Sequence, residues 1–244
     1  MTMIFNGEPM TLDEIASALK SRDVIFNVFA QVFFDVPSEQ TDKLIADTAT
    51  LLGGVAETTE NEHVREGFEL IADLLHEHHG DLGDYLRQTR LRRATAYTSL
   101  FILGRESESL YESVHRSPEK LLKQDPYCEV QALYWQNDFH IADGVNTVED
   151  HVSVELQFMG LLSGKAAAAC SAGERQACRQ LLQVQRRFYA EHLSQWVPEF
   201  CANVAAHKGK PGHAFYAAYA LILKGFMAED QDFLHEVEAA LVSD

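Results

Sequence analysis

Positive charge is scarce in this chain. Its 244 residues carry 20 Lys and Arg against 37 Asp and Glu, a formal net charge of -17. Phosphate contacts need clustered cations, so a nucleic-acid surface is excluded as the main function. The balance suits solubility, or a meeting with a basic partner. Cysteine is sparse too. Cys128, Cys170, Cys178 and Cys201 show no CxxC spacing. They read as reduced thiols, mostly buried, in a cytoplasmic protein, without a disulfide framework or a zinc site. Long apolar runs are missing. The nearest, "AFYAAYALILKGFM", is short and interrupted by Lys224, so no membrane span is expected. The start "MTMIFNGEPMTLDEIAS" has neither a basic opening nor a long apolar stretch and reads as no secretory signal. No GxSxG elbow is present, which lowers the expectation of a hydrolase.

What is present is helical periodicity. Hydrophobic residues make up 46% of the chain, enough for a substantial core. "TLDEIASALKSRDVIFNVFAQVFF" opens on a capping box, Thr11 and Glu14, and repeats Ile15, Leu19, Phe26, Phe29 and Phe33 at spacings of three, four and seven. Pro37 ends it. Ser38 caps a second helix that runs to Gly53-Gly54. A third covers Asn61 to His79 and stops at Gly80, and a fourth runs from Leu82 to Leu103. Ser117-Pro118 predicts a short helix bearing Leu121 and Leu122. "CEVQALYWQNDF" is another, followed by the loop "IADGVNT". After Gly173 two long patterns are split near Pro198 and again at "KGKPG", and the tail from Ala228 is amphipathic. No strand alternation appears. The expected fold is all-α, a single globular bundle of about ten helices forming one domain over 1–244. The loop 140–148 is a candidate hinge between its N- and C-terminal halves.

The stretch "VEDHVSVELQFMGLL", Val148 to Leu162, is unusual. Val152, Leu156, Met159 and Leu162 share one helix side while Val154, Phe158 and Leu161 cover another, so this helix is expected to be central and buried. Yet Glu149, Asp150 and His151 stand at its mouth. The two acids can cap free backbone N–H groups there, and Asp150 with Glu155 favours a protonated His151. The alternative is recognition of a basic group by an acidic cluster with a tunable histidine. Other candidates are weaker. "GLLSGK" is one residue short of a phosphate loop and follows no strand. The pairs Glu60/His63 and Glu112/His115 have the ExxH spacing of helical di-iron sites, which also need two further Glu residues from other helices. "HEHHG", His76 to Gly80, reads as a solvated helix end.

Several segments, in order, resemble the TorD/DmsD/NarJ family of cytoplasmic chaperones for molybdenum-containing redox enzymes. They are "RDVIFNVFAQVFFDVPSEQ", "LRRATAYTSLFILG", "LYESVHRSPEKLL", "VEDHVSVELQFMGLL", "FYAEHLSQWVPEFC" and "FYAAYALILKGFMAED". The resemblance implies a non-enzymatic partner for an apo-molybdoenzyme catalytic subunit. Such a chaperone binds the subunit's N-terminal leader, often a twin-arginine signal, until the cofactor is inserted. It implies no catalytic residue, no metal and no cofactor held by this chain. A twin-arginine leader is basic at one end and apolar after it, so its receptor needs carboxylates beside an apolar groove. Carried over by position, the peptide-binding candidates are Glu149, Asp150, His151, Tyr111, Glu112 and Ser113, with Tyr111 as a groove wall. Phe101, Gly104, His192, Trp196 and Pro198 match structural motifs. The proline that the family commonly places before the diagnostic helix is absent; Thr147 and Val148 stand there. A mainly monomeric protein is implied, with a dimer formed by exchange of halves also compatible. A helical di-iron protein and an acidic adaptor without a specific leader site are the competing readings.

Overall fold

The computed structural model describes residues 10–76, 81–103, 107–210 and 212–242. The described residues form eleven α-helices and no strand, so the all-α expectation holds. In chain order these are α1 (Leu12–Phe34), α2 (Glu39–Asp47), α3 (Ala49–Thr58), α4 (Glu62–His76), α5 (Leu82–Tyr97), α6 (Glu112–Arg116), α7 (Asp125–Gln136), α8 (Val152–Ser171), α9 (Arg175–Phe188), α10 (Ser194–Ala206) and α11 (His213–Ala240). None is long and apolar enough to cross a membrane.

Two helix pairs organise the core, and each joins the first half of the chain to the second. The capping box of α1 is present as expected, with Thr11 and Glu14 bonding reciprocally. Along its length α1 packs against α8, the apolar helix that follows His151. Gly160 and Gly164 of α8 make this approach close. A Cβ on Gly164 would lie 2.9 Å from the Asp23 carboxylate, and one on Gly160 would lie 3.0 Å from it. "GLLSGK" is therefore an interior helix surface rather than a phosphate loop. The second pair is α4 and α11, where Gly67 and Gly225 face each other's helices. A Cβ on Gly67 would lie 2.7 Å from the Ala218 carbonyl oxygen. The main hydrophobic cluster draws on residues from Ile25 to Met227, across the 140–148 loop.

Several boundaries differ from the sequence reading. The second helix breaks at Thr48, whose hydroxyl donates to the Leu44 and Ile45 carbonyls, and a new helix then runs straight through Gly53-Gly54. The α-helix from Leu82 ends at Tyr97 and continues as a π turn, Thr98–Ile102. No helix starts at Ser117-Pro118. Instead Ser117 is extended, as a residue before proline prefers, and its N–H closes α6 on the Ser113 carbonyl. Leu121 and Leu122 stay exposed, so no burial drives a helix there. Pro198 lies inside α10 and does not split it. The ladder is interrupted one turn earlier by a π segment, Tyr189–Leu193, and burial of Trp196, Val197, Phe200 and Cys201 on either side of the proline outweighs its missing donor. The ends of the third helix beyond His76, and Gly80 and Gly104, lie outside the described residues.

Helix α3 is the least anchored element. Of its ten residues only Leu52 is buried, and no side chain caps its start. Nothing lies within 4 Å of a Cβ placed on Gly53. Glycine there costs helix propensity with no packing in return, so Gly53→Ala should raise stability by about 1 kcal/mol in urea unfolding. An unchanged or lower midpoint would mean that α3 is not a stable helix in solution.

Candidate functional site

The start of α8 meets the segment before α6. The Glu112 N–H donates to the Asp150 carbonyl at 2.9 Å, and the Val152 N–H donates to the Leu110 carbonyl at 2.8 Å. This makes an isolated antiparallel bridge between Tyr111 and His151. Two motifs that lie far apart in sequence are thus joined through their backbones. All six peptide-binding candidates fall at this junction.

Their roles differ from those expected of helix caps. Asp150 does not cap α8. Its Oδ2 accepts the Ser113 N–H at 2.8 Å and so caps α6. Glu149 accepts from the Gln131 amide at 2.9 Å, and its carbonyl accepts the Tyr134 hydroxyl at 3.1 Å, tying it to α7. The cap of α8 is His151, whose Nδ1 accepts the Ser153 N–H at 3.1 Å. An accepting Nδ1 leaves the ring proton on Nε2. Burial lowers the His151 pKa to about 4, so the imidazole is neutral at pH 7. That corrects the expectation of a protonated His151: desolvation outweighs the nearby carboxylates. Asp150 is itself fully buried, and burial raises its pKa, opposed by its hydrogen bonds to Ser113.

Tyr111 is half-buried, with its ring set edge-on to His151 at 5.0 Å. Phe34, from the end of α1, flanks His151 at 6.1 Å. Beside them Phe34, Ile141, Val145, Ser153 and Val154 line a small cavity of about 170 Å³. Asp35 and Asp143 are exposed here, and Glu149 is half-buried. The junction therefore offers aromatic and aliphatic surface with carboxylates near it, over a buried polar frame.

That frame extends inward. Glu112 is fully buried and accepts from Arg116 and from His192 Nδ1 at 3.0 Å. His192 stacks on Phe188 at 5.0 Å. Glu155, fully buried on α8, accepts the Trp196 indole N–H at 3.2 Å. Trp196 stacks on His115 at 4.9 Å. Burial first, and then the Glu112 and Asp150 charges, raise the Glu155 pKa well above that of a free carboxylic acid. The sequence reading treated Glu155 only as a neighbour of His151. The signal was there, a lone carboxyl within an otherwise apolar helix. Phe101 packs among Phe33, Tyr97, Phe200 and Tyr216.

The ExxH pairs do not converge. His115 turns from Glu112 to the Ser109 carbonyl, at 2.8 Å, and Glu60 is exposed. Among the described residues no group of three or more His, Cys, Asp or Glu is placed to hold a metal ion, so the di-iron reading has no site there. Cys128 is exposed and the other three cysteines are buried thiols.

The raised Glu155 pKa has a measurable consequence. The folded chain keeps a proton that the unfolded chain releases above pH 4.5, so this group lowers stability as pH rises from 4.5 toward its folded value. His151 acts in the opposite sense between pH 4 and 6.5, because there the unfolded chain binds the extra proton. Glu155→Gln should remove that fall, at most about 1.4 kcal/mol per pH unit above pH 4.5, read as the difference between variant and parent in urea unfolding. Parallel pH profiles would show that Glu155 is ionised in the fold.

The family model described as nitrate reductase delta subunit matches residues 56–202, which hold the Tyr111–Ser113 and Glu149–His151 segments and the frame behind them. The chain belongs to this family, the TorD/NarJ family. It is 25% identical over 236 residues to the chaperone protein TorD of Vibrio cholerae serotype O1, covering 93% of this chain and 97% of the relative. To the TorD chaperone of Photobacterium profundum it is 27% identical over 186 residues, 76% of this chain and 80% of that one. The TorD chaperone of Aeromonas salmonicida shares 38% identity over 95 residues, 39% and 42% of the two chains. This chain is a TorD-type chaperone of redox-enzyme maturation and not an enzyme.

Proposed function

We propose that the chain binds the N-terminal leader, of twin-arginine type, of a molybdenum-containing oxidoreductase subunit in the cytoplasm. It holds the apo-subunit until the cofactor is inserted and export can follow. The observation that carries this reading is the backbone bridge joining Tyr111 to His151. It sets an aromatic wall and half-buried or exposed carboxylates on a rigid polar base. Tyr111 and Glu149 are the groups that touch peptide. Asp150, His151, Glu112 and Ser113, all buried, position them. Arginine heads pair with Glu149 and Asp35, and the apolar run lies against Tyr111, Phe34 and Val145. The chain acts as one all-α domain, mainly a monomer, with 140–148 as the point at which halves would exchange.

The test is calorimetric titration with synthetic twin-arginine leaders from molybdoenzyme genes adjacent to this one, at low and high salt. Micromolar binding that weakens with salt is expected. Tyr111→Ala should weaken it at least tenfold, and Glu149→Gln should flatten the salt dependence. Absence of binding to every leader, or an unchanged affinity in Tyr111→Ala, would sink the leader reading and leave the acidic adaptor.

A further inference from the structure

Two thiols meet where α8 turns back into α9. Cys170 lies in the last turn of α8 and Cys178 in the first turn of α9, joined by the exposed turn 171–174. The turn is tight. The Gly173 N–H donates to the Cys170 carbonyl at 3.0 Å and the Glu174 N–H to the Ala169 carbonyl at 2.8 Å, with Gly173 at a φ of 76°. Helix α9 then packs along α8. Both cysteines fall in one apolar cluster, 1% and 0% exposed, with Ile15 and Leu19 of α1 and Leu234 and Val237 of α11. Within it the two side chains are hydrogen-bonded to each other.

That pairing is asymmetric. The bond lowers the Cys170 pKa, which burial opposes and the Arg175 charge assists. The same bond, with burial, raises the Cys178 pKa. Cys170 is therefore the sulfur that accepts and the one favoured as thiolate, the form that attacks in disulfide exchange.

We propose that Cys170 and Cys178 are a redox-active pair, which small-molecule disulfides oxidise to an intramolecular disulfide and thiols reduce again. The Cys170 thiolate attacks one sulfur of a reagent RSSR and expels RS⁻. Cys178 then gives up its proton, and its sulfur attacks Cys170 in the mixed disulfide, expelling the second RS⁻. Two protein thiols and one RSSR become one protein disulfide and two RSH, with both protons carried off on the departing thiols. The sulfurs must close to about 2.05 Å. Helix α9 supplies that freedom, because no side chain caps its start and its first turn can open locally to admit the reagent. The product ties α8 to α9 and restrains that opening. Nineteen residues, about 28 Å at 1.5 Å per residue, separate Cys170 from His151, so the pair is distinct from the leader junction.

The experiment treats the folded full chain, carrying Cys128→Ser to remove the exposed thiol, with 2-hydroxyethyl disulfide. Alkylation, trypsin digestion and mass spectrometry follow. Trypsin cuts after Lys165, Arg175 and Arg179, so the expected bond joins peptides 166–175 and 176–179. Dithiothreitol should separate them again. In the same background Cys178→Ser should stop at the mixed disulfide on Cys170. Cys170→Ser should form its mixed disulfide on Cys178 at least tenfold more slowly. Hydrogen exchange across 166–182 should be at least tenfold slower in the oxidised chain than in the reduced one. The proposal is overturned if the two peptides are not linked in folded protein, or are linked only after urea unfolding. It is also overturned if Cys201 is found in the bond instead. Equal rates in Cys170→Ser and Cys178→Ser would overturn the assignment of Cys170 as the attacking sulfur.

Discussion

Asp230→Ala should cost about 3–5 kcal/mol in urea unfolding, the usual result of stripping one partner from a buried ion pair. Arg22 reaches Asp230 across 208 residues, and the two side chains are 3% and 2% exposed. Its third nitrogen donates to Gln185, and its guanidinium lies 4.7 Å above the Phe26 ring. Without Asp230 that cation has one neutral acceptor left and little access to water. The neighbouring groove offers some hydration, which favours the lower end of the range. The double variant Arg22→Met with Asp230→Leu should recover most of the loss, since hydrophobic replacement of a buried pair is often neutral or stabilising. A loss below about 1 kcal/mol in Asp230→Ala would mean that water already solvates the pair.

Trp196→Ala is the second large effect, also about 3–5 kcal/mol. Its side chain is among the largest fully buried ones, packed against Phe200 and stacked on His115. Truncation opens a void beneath the Tyr111 junction and removes the donor to Glu155. Trp196→Phe keeps most of the volume and loses mainly the indole hydrogen bond, so about 1–2 kcal/mol is expected. Trp135, the other tryptophan, is 63% exposed. In a Trp135→Phe background the remaining emission should be blue-shifted and should move to the red on unfolding. Red-shifted emission from folded protein would contradict the burial of Trp196.

The parts of this fold that could be read from sequence are those with long periodic patterns. The capping box and apolar spacing of α1, and the two-sided hydrophobicity of α8, each name a buried helix, and both are found. Short elements were harder, because local signals compete. Ser117-Pro118 has the form of a helix start, but the same dipeptide ends α6, and only the exposure of Leu121 and Leu122 decides between them. Gly53-Gly54 reads as a break, yet the chain passes through it as helix. At the candidate site the sequence named the residues that come together but not their protonation or direction. His151 lies among carboxylates in sequence and is neutral in space, because burial dominates. Asp150 precedes one helix and caps another. Glu155 needed the fold to bring Glu112 and Trp196 against it.

The pairing of α1 with late helices has a consequence for biosynthesis. Ser163 donates to the Leu19 carbonyl across 144 residues, and Arg22 finds Gln185 and Asp230 across 163 and 208. While the chain is being made, Phe26, Phe29 and Phe33 have none of these later partners to cover them. At about 5–20 residues per second, the wait for α11 lasts some tens of seconds. Folding must then close long loops before these particular contacts reward it. A chaperone built this way leaves the ribosome with its own apolar helix uncovered. Its yield in the cell should depend on general holding factors and on temperature during synthesis, more than its finished stability would indicate.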